Sequence, residues 1–201
     1  MTQDTAFHDD AAKAVLSLAG EMAFSHITLP KLADRMDRPV SDFLNLPHFN
    51  ALIVDYLDRA CASEPVDETE SLRERLFDIA MLRFEAMEDH RDGAVAWQDS
   101  WLMNPLKRAK AAKRRVKSAR WILTLAGEKQ DVFLKPKSVV LSGILFRAEQ
   151  AWRKEEGKDF TRTMAQLDRD LRDIDSWVER FSSFSLGPFG KKKAADFSAA
   201  V

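Results

Sequence analysis

Seven polar side chains between Lys31 and His48 hold most of the chemistry this sequence offers. Lys31, Arg35 and Arg38 are cations three or four residues apart, suited to the backbone phosphates of a nucleic acid. Ser41, Asp42, Asn45 and His48 follow with hydroxyl, carboxylate, amide and imidazole groups, which contact base edges or phosphates when a helix exposes them. Asp42 suits a cytosine amino group and is repelled by phosphate. Elsewhere the chemistry is sparse. His8, His26, His48 and His90 are scattered without metal-ligand spacing, no glycine-rich phosphate loop is present, and Asp168, Asp170, Asp173 and Asp175 alternate with arginines as a solvated helix face does. The chain reads as a non-enzyme, with no catalytic residue, metal or cofactor assigned.

Helices must position those seven groups, and their spacing is visible. Ala14, Val15, Leu18, Ala19 and Met22 recur three and four apart, giving one apolar stripe on a first helix. Thr28 suits an N-cap and Pro30 a first turn, so a short helix is expected from about Leu29 to Met36. Asp37-Arg38-Pro39 breaks it, and Pro39 opens a second short helix whose apolar face is Val40, Phe43, Leu44 and Leu46. Pro47 closes that helix before a longer one carrying Leu52, Ile53, Tyr56, Leu57 and Ala60. Helix, short helix, tight turn and second short helix form the plan of a helix-turn-helix.

At these residues the chain resembles the tetracycline-repressor (TetR) family of bacterial one-component regulators. Ile27-Thr28-Leu29 with Leu32-Ala33 matches that family's opening of its second helix, and Leu46-Pro47-His48-Phe49 falls where its third helix gives way to its fourth. The resemblance implies an all-α, TetR-like fold, with a three-helix DNA-binding head, a linking helix and a ligand-binding, dimerising body. It also implies double-stranded DNA with a two-fold operator as a partner. The sequence departs from the family at three places. Asp37-Arg38-Pro39 stands where the family's turn has glycine, a small apolar residue and serine. The family's phosphate-contacting tyrosine falls near Leu44 or Asn45, and its helix-opening lysine near Asn50. From Ala11 to Ala60 there are five Lys or Arg against six Asp or Glu, whereas a phosphate-neutralising head is normally basic.

The whole chain has 201 residues, a formal net charge of −1, seven glycines and seven prolines. Strand-like alternation is scarce, which independently favours an all-α class. We place the head and linking helix at 1–63, the body at 64–182 and a basic, aromatic tail at 183–201. The single cysteine, Cys61, has no internal disulfide partner and suits a reducing compartment. An acidic start without an apolar core, and no apolar run near the ~20 residues of a membrane span, lead us to expect a soluble cytoplasmic protein.

In the body, helices are expected at about Glu68 to His90, Ala94 to Met103, Pro105 to Ala126 and Pro136 to Glu156, with Asp92-Gly93 a break and Gly127 a stop. A last helix repeats Phe160, Met164, Leu167, Leu171, Ile174, Val178 and Phe181 in a heptad-like seam. With Leu141, Ile144, Leu145 and Trp152 on the preceding helix, this seam is either an internal core or, as the resemblance implies, a homodimer interface. All five tryptophans lie in the body. They are core residues or, with Met81, Phe84, Trp97, Trp101, Met103, Trp121 and Phe146, the lining of a pocket for a small lipophilic ligand. Lys107, Arg108, Lys110, Lys113, Arg114, Arg115, Lys117 and Arg120 make a helix without an acidic residue, either a solvated face or one attracted to an anionic surface, membrane phospholipid or nucleic acid, while the basic, aromatic tail suits weak contact with an anionic membrane surface. The leading function is a ligand-released transcriptional repressor. The alternative is a TetR-like lipid-binding accessory protein of the ubiquinone-biosynthesis type that has given up DNA.

Overall fold

The computed structural model describes residues 3–102 and 104–172. The described residues are helical, with no strand among them. The α-helices are α1 (Gln3–Glu21), α2 (Leu29–Arg35), α3 (Phe49–Ala60), α4 (Leu72–Glu88), α5 (Arg91–Leu102), α6 (Pro105–Leu125), α7 (Leu134–Trp152) and α8 (Thr161–Arg172). Two 3₁₀ turns, Phe24–His26 and Val40–Phe43, flank α2. One continuous apolar core joins Val15 and Leu16 of α1, Leu52 of α3, Phe84 of α4, Ile122 of α6, Trp152 of α7 and Leu171 of α8. No described helix is long and apolar enough to cross a membrane.

Local chemistry explains most boundaries. Thr28 is the extended N-cap residue of α2 and Pro30 sits in its first turn. Asn104 caps α6 by accepting from the Lys107 N–H at 3.0 Å, with Pro105 in the first turn. Ser71 and Glu74 form a reciprocal capping box, Ser71 Oγ accepting from the Glu74 N–H at 3.3 Å and the Glu74 carboxylate from the Ser71 N–H at 2.9 Å. That box starts α4 at Leu72, later than the Glu68 expected from periodicity. Gly127, at φ +81°, ends α6, and the Glu128 N–H returns to the Leu123 carbonyl at 2.9 Å.

Two expectations need correction. Asp92-Gly93 does not interrupt a helix, because α5 begins at Arg91 and Gly93 lies within its first turn. Its missing side chain serves packing instead: a β-carbon there would meet the Leu16 carbonyl oxygen of α1 at 1.8 Å. The second correction concerns the segment from Pro39 to Pro47, which forms one 3₁₀ turn rather than an α-helix. Its hydrogen bonds run three residues back, from the Asp42 N–H to Pro39, Leu44 to Ser41 and Leu46 to Phe43. Pro47 pushes Leu46 out of helical geometry, and the few residues between the two prolines cannot nucleate an α-helix. Phe43 anchors the turn, fully buried and 5.3 Å from the Phe7 ring.

Candidate functional site

The turn before this segment shows how the chain manages without glycine. Asp37 takes φ +51°, the Asp37 N–H bonds the Asp34 carbonyl at 3.3 Å, and the Arg38 N–H bonds Ala33 at 3.0 Å. This is a Schellman closure with aspartate in the left-handed position, which short polar side chains tolerate better than others.

Lys31, Arg35, Arg38, Ser41, Asp42, Asn45 and His48 all lie at the surface. Several already have partners. Arg35 donates to Ser17 Oγ at 2.7 Å and pairs with Glu21 at 2.5 Å, which holds the Glu21 carboxyl below its usual range. Arg38 pairs with Asp42 at 3.4 Å and lies 5.2 Å over the Phe7 ring. Lys31 donates to the His26 carbonyl at 3.0 Å. His48 caps α3, its Nδ1 accepting from the Asn50 N–H at 3.2 Å. The same segment exposes apolar surface, with Leu44 at 85% and Val40 at 47%.

Behind this face is a cleft of about 650 Å³ between the N-terminal segments and α5–α7. Phe24, Ile27, Leu46, Phe49 and Val54 line it from one side, and Trp97 and Trp101 from the other. Trp97 and Trp101 meet edge to face at 6.4 Å, and the Trp97 indole N–H donates to Asn50 Oδ1 at 2.9 Å. Arg83 and Arg115, both largely buried, also line the cleft. Arg83 pairs with Asp58 at 3.1 Å, and Ser118 donates to the same carboxylate at 2.9 Å. Burial raises the Asp58 pKa above its ordinary value, against the opposing pull of Arg83 and Ser118. Arg115 pairs with the buried Glu149 at 2.8 Å and stacks over the Phe146 and Trp101 rings at 4.9 and 5.5 Å.

Of the seven residues expected to line a pocket, the structure brings Trp97 and Trp101 to this cleft. Phe84 is in the core, and Met81 lines a smaller depression of about 270 Å³ with acidic neighbours such as Glu70 and Asp78. Trp121 is part-exposed, donating to the Asp58 carbonyl at 2.7 Å, and Phe146 lies under Arg115. Met103 lies outside the described residues. Among the expected interface residues, Leu141, Ile144, Leu145, Trp152, Leu167 and Leu171 are buried within the chain, because α7 and α8 turn these side chains inward. Met164 is exposed at 37%, while Ile174, Val178 and the tail 183–201 lie outside the described residues. Sequence reasoning did not find Gln98, Arg83, Arg115 or Glu149 as cleft residues. The available signal was polar or charged side chains in an apolar register: Arg83 beside Ile79, Ala80 and Phe84, and Glu149 beside Leu145, Ala148 and Trp152.

No family model and no curated protein matches the sequence. The fold does have a solved counterpart. The crystal structure of the TetR transcriptional regulator from Nitrosomonas europaea ATCC 19718 superimposes with a TM-score of 0.65 at 18% identity, over 84% of this chain and 98% of that one. The chain therefore has the all-α fold of a TetR transcriptional regulator.

Proposed function

We propose that this protein is a DNA-binding transcriptional regulator of the TetR type, a cytoplasmic homodimer that represses until a small ligand releases it. The observation that carries this reading is the fold shared along nearly the whole length of a TetR regulator. Residues 1–63 then act as the DNA-binding head and 64–182 as the body. Exposed Ser41 and Asn45, which have no side-chain hydrogen-bond partner among the described residues, face outward to reach base edges, and Arg35 and Arg38 supply phosphate contacts. Their present ion pairs are exposed and screened by solvent, so phosphates can displace them. Since the α7–α8 seam faces inward, a second copy would pair through the outer faces of these helices, where Val139 and Met164 are exposed. Two heads so paired would read half-sites about one helical turn, ~34–36 Å, apart.

Purified protein should select a few genomic fragments sharing a two-fold motif, across a salt series that removes sequence-independent attraction. Replacing Arg35 and Arg38 by alanine should weaken that selection. A second reading, a lipid-binding accessory protein without DNA, is favoured by the single 3₁₀ turn in place of a recognition helix and by its exposed Val40 and Leu44. Fragment recovery without a motif, together with lipid bound to the purified chain, would replace the first reading with the second.

A further inference from the structure

We propose that the cleft between the N-terminal segments and α5–α7 binds an organic acid, an apolar body ending in a carboxylate, through Gln98, Trp101 and Arg115. This deepens the ligand-released reading in naming the effector's chemistry, while the binding itself does not depend on DNA.

Three buried nitrogen donors in the cleft wall have no acceptor: Gln98 Nε2, Trp101 Nε1 and Arg115 Nε. Gln98 and Trp101 are 1% and 7% exposed. Each is unpaired for a definite reason. Gln98 Oε1 accepts from Arg153 Nη1 at 3.1 Å, which fixes the amide and leaves its NH₂ group over. An indole can only donate, and Asn50 Oδ1, an acceptor on a residue lining the same cleft, is taken by Trp97. Arg115 spends Nη2 on Glu149, and the stacking of its guanidinium against Trp101 and Phe146 leaves the Nε edge free. Gln98 and Trp101 are three apart on one face of α5, and Arg115 stacks on Trp101, so the three donors form one cluster.

An unmade hydrogen bond at a buried donor leaves its lost hydration uncompensated, and a cluster of donors lacks lone pairs above all. A carboxylate brings about four lone-pair sites on two oxygens. Charge points the same way: Lys107, Lys110 and Arg114 border the cleft without an ion-pair partner among the described residues, and its one lining carboxylate, Glu149, is engaged by Arg115. Phe24, Ile27, Leu46, Phe49 and Trp97 provide the apolar wall for the rest of the ligand. The volume of about 650 Å³ suits a small molecule. Because Phe24, Ile27, Leu46 and Phe49 belong to the N-terminal segments, an occupant would fix how these sit on α5 and α6.

The test titrates the purified full chain with 2-naphthoate and dodecanoate, and with 2-naphthol and dodecanol, by calorimetry and tryptophan emission. The acids should bind at least about tenfold more tightly than the alcohols, equivalent to ~1.4 kcal/mol. Trp101→Phe, which keeps a ring and deletes the N–H, and Gln98→Leu should each weaken acid binding about tenfold and leave alcohol binding unchanged. Thermal melts of both variants ensure that the loss is not unfolding. Equal binding of acid and alcohol, acid binding indifferent to both substitutions, or no binding of either acid at millimolar concentration would overturn the proposal. Acid binding by a protein that selects no DNA motif would remove the regulator reading and leave this inference standing; motif selection without acid binding would do the reverse.

Discussion

Asp37 shows how one residue decides whether the N-terminal turn closes. Its φ of +51° lets the Arg38 N–H reach the Ala33 carbonyl, and an L-residue pays for that geometry according to its side chain. Valine, branched at the β-carbon, is the worst occupant, so Asp37→Val should lower stability by about 1–2 kcal/mol. Asp37→Gly should be neutral or stabilising by up to ~1 kcal/mol, since glycine adopts positive φ without strain but loses more freedom on folding. Urea midpoints with unchanged slopes would measure both; a harmless valine would show that the turn does not hold this conformation in solution. The sequence made the place of this turn legible, because Pro39 forbids helix at Arg38. The cleft was less legible at this scale. Gln98 and Arg115 look like ordinary helix residues in one dimension, and whether a buried N–H finds an acceptor depends on Arg153, Glu149 and Asn50, far away in sequence.

Helices α1 and α5 cross at a contact that depends on glycine. A β-carbon at Gly93 would overlap the Leu16 carbonyl, and backbone cannot swing aside as a long side chain can. Gly93→Ala should therefore cost more than about 2 kcal/mol, outweighing the ~1 kcal/mol that alanine gains in helix propensity. Gly20, on α1 at the same crossing, is the control: its β-carbon would come no nearer than 3.4 Å to Asp92, so Gly20→Ala should be tolerated or stabilising. Thermal and urea unfolding of the two variants would decide, and equal effects would mean that the helices cross elsewhere. Three-and-four spacing and punctuation by Pro30, Pro105 and Gly127 made the helices themselves readable before any coordinates. Periodicity could not tell a helix break from a helix crossing at Gly93, because glycine serves both and only a neighbour's position separates them. Nor could it show that seven residues between two prolines stop at a 3₁₀ turn, where chain length rather than apolar pattern is limiting.

At the scale of the molecule, the question is whether the N-terminal 63 residues fold apart from the rest. Among the polar ties that cross this boundary, three are buried or half-buried, Arg83 to Asp58, Ser118 to Asp58 and Trp97 to Asn50, and the Trp121 indole adds one to the Asp58 carbonyl nearer the surface. Detaching α3 would break these ties together and bare the apolar surface around them, so α3 cannot leave α4 and α6 cheaply. The apolar core is likewise continuous from Leu16 to Leu171. Unfolding should then be one cooperative transition, followed equally by tryptophan emission, which reports only residues beyond 63, and by hydrogen exchange of α1 and α2 amides. Cys61 at the end of α3 gives a third reporter. It is fully buried, and its thiol is pushed up to about 11 by burial, so at pH 8 it has little thiolate and no access. A thiol reagent should label it only at the rate of global unfolding. If α1 and α2 exchange and Cys61 reacts well below the urea concentration at which tryptophan emission changes, the N-terminal segment is an independent unit. In that case a ligand in the cleft would act by holding two separable pieces together, and acid binding should shift the first transition alone. A single transition means instead that the cleft belongs to one cooperative body, and binding of an organic acid should raise its midpoint for every reporter by the same amount.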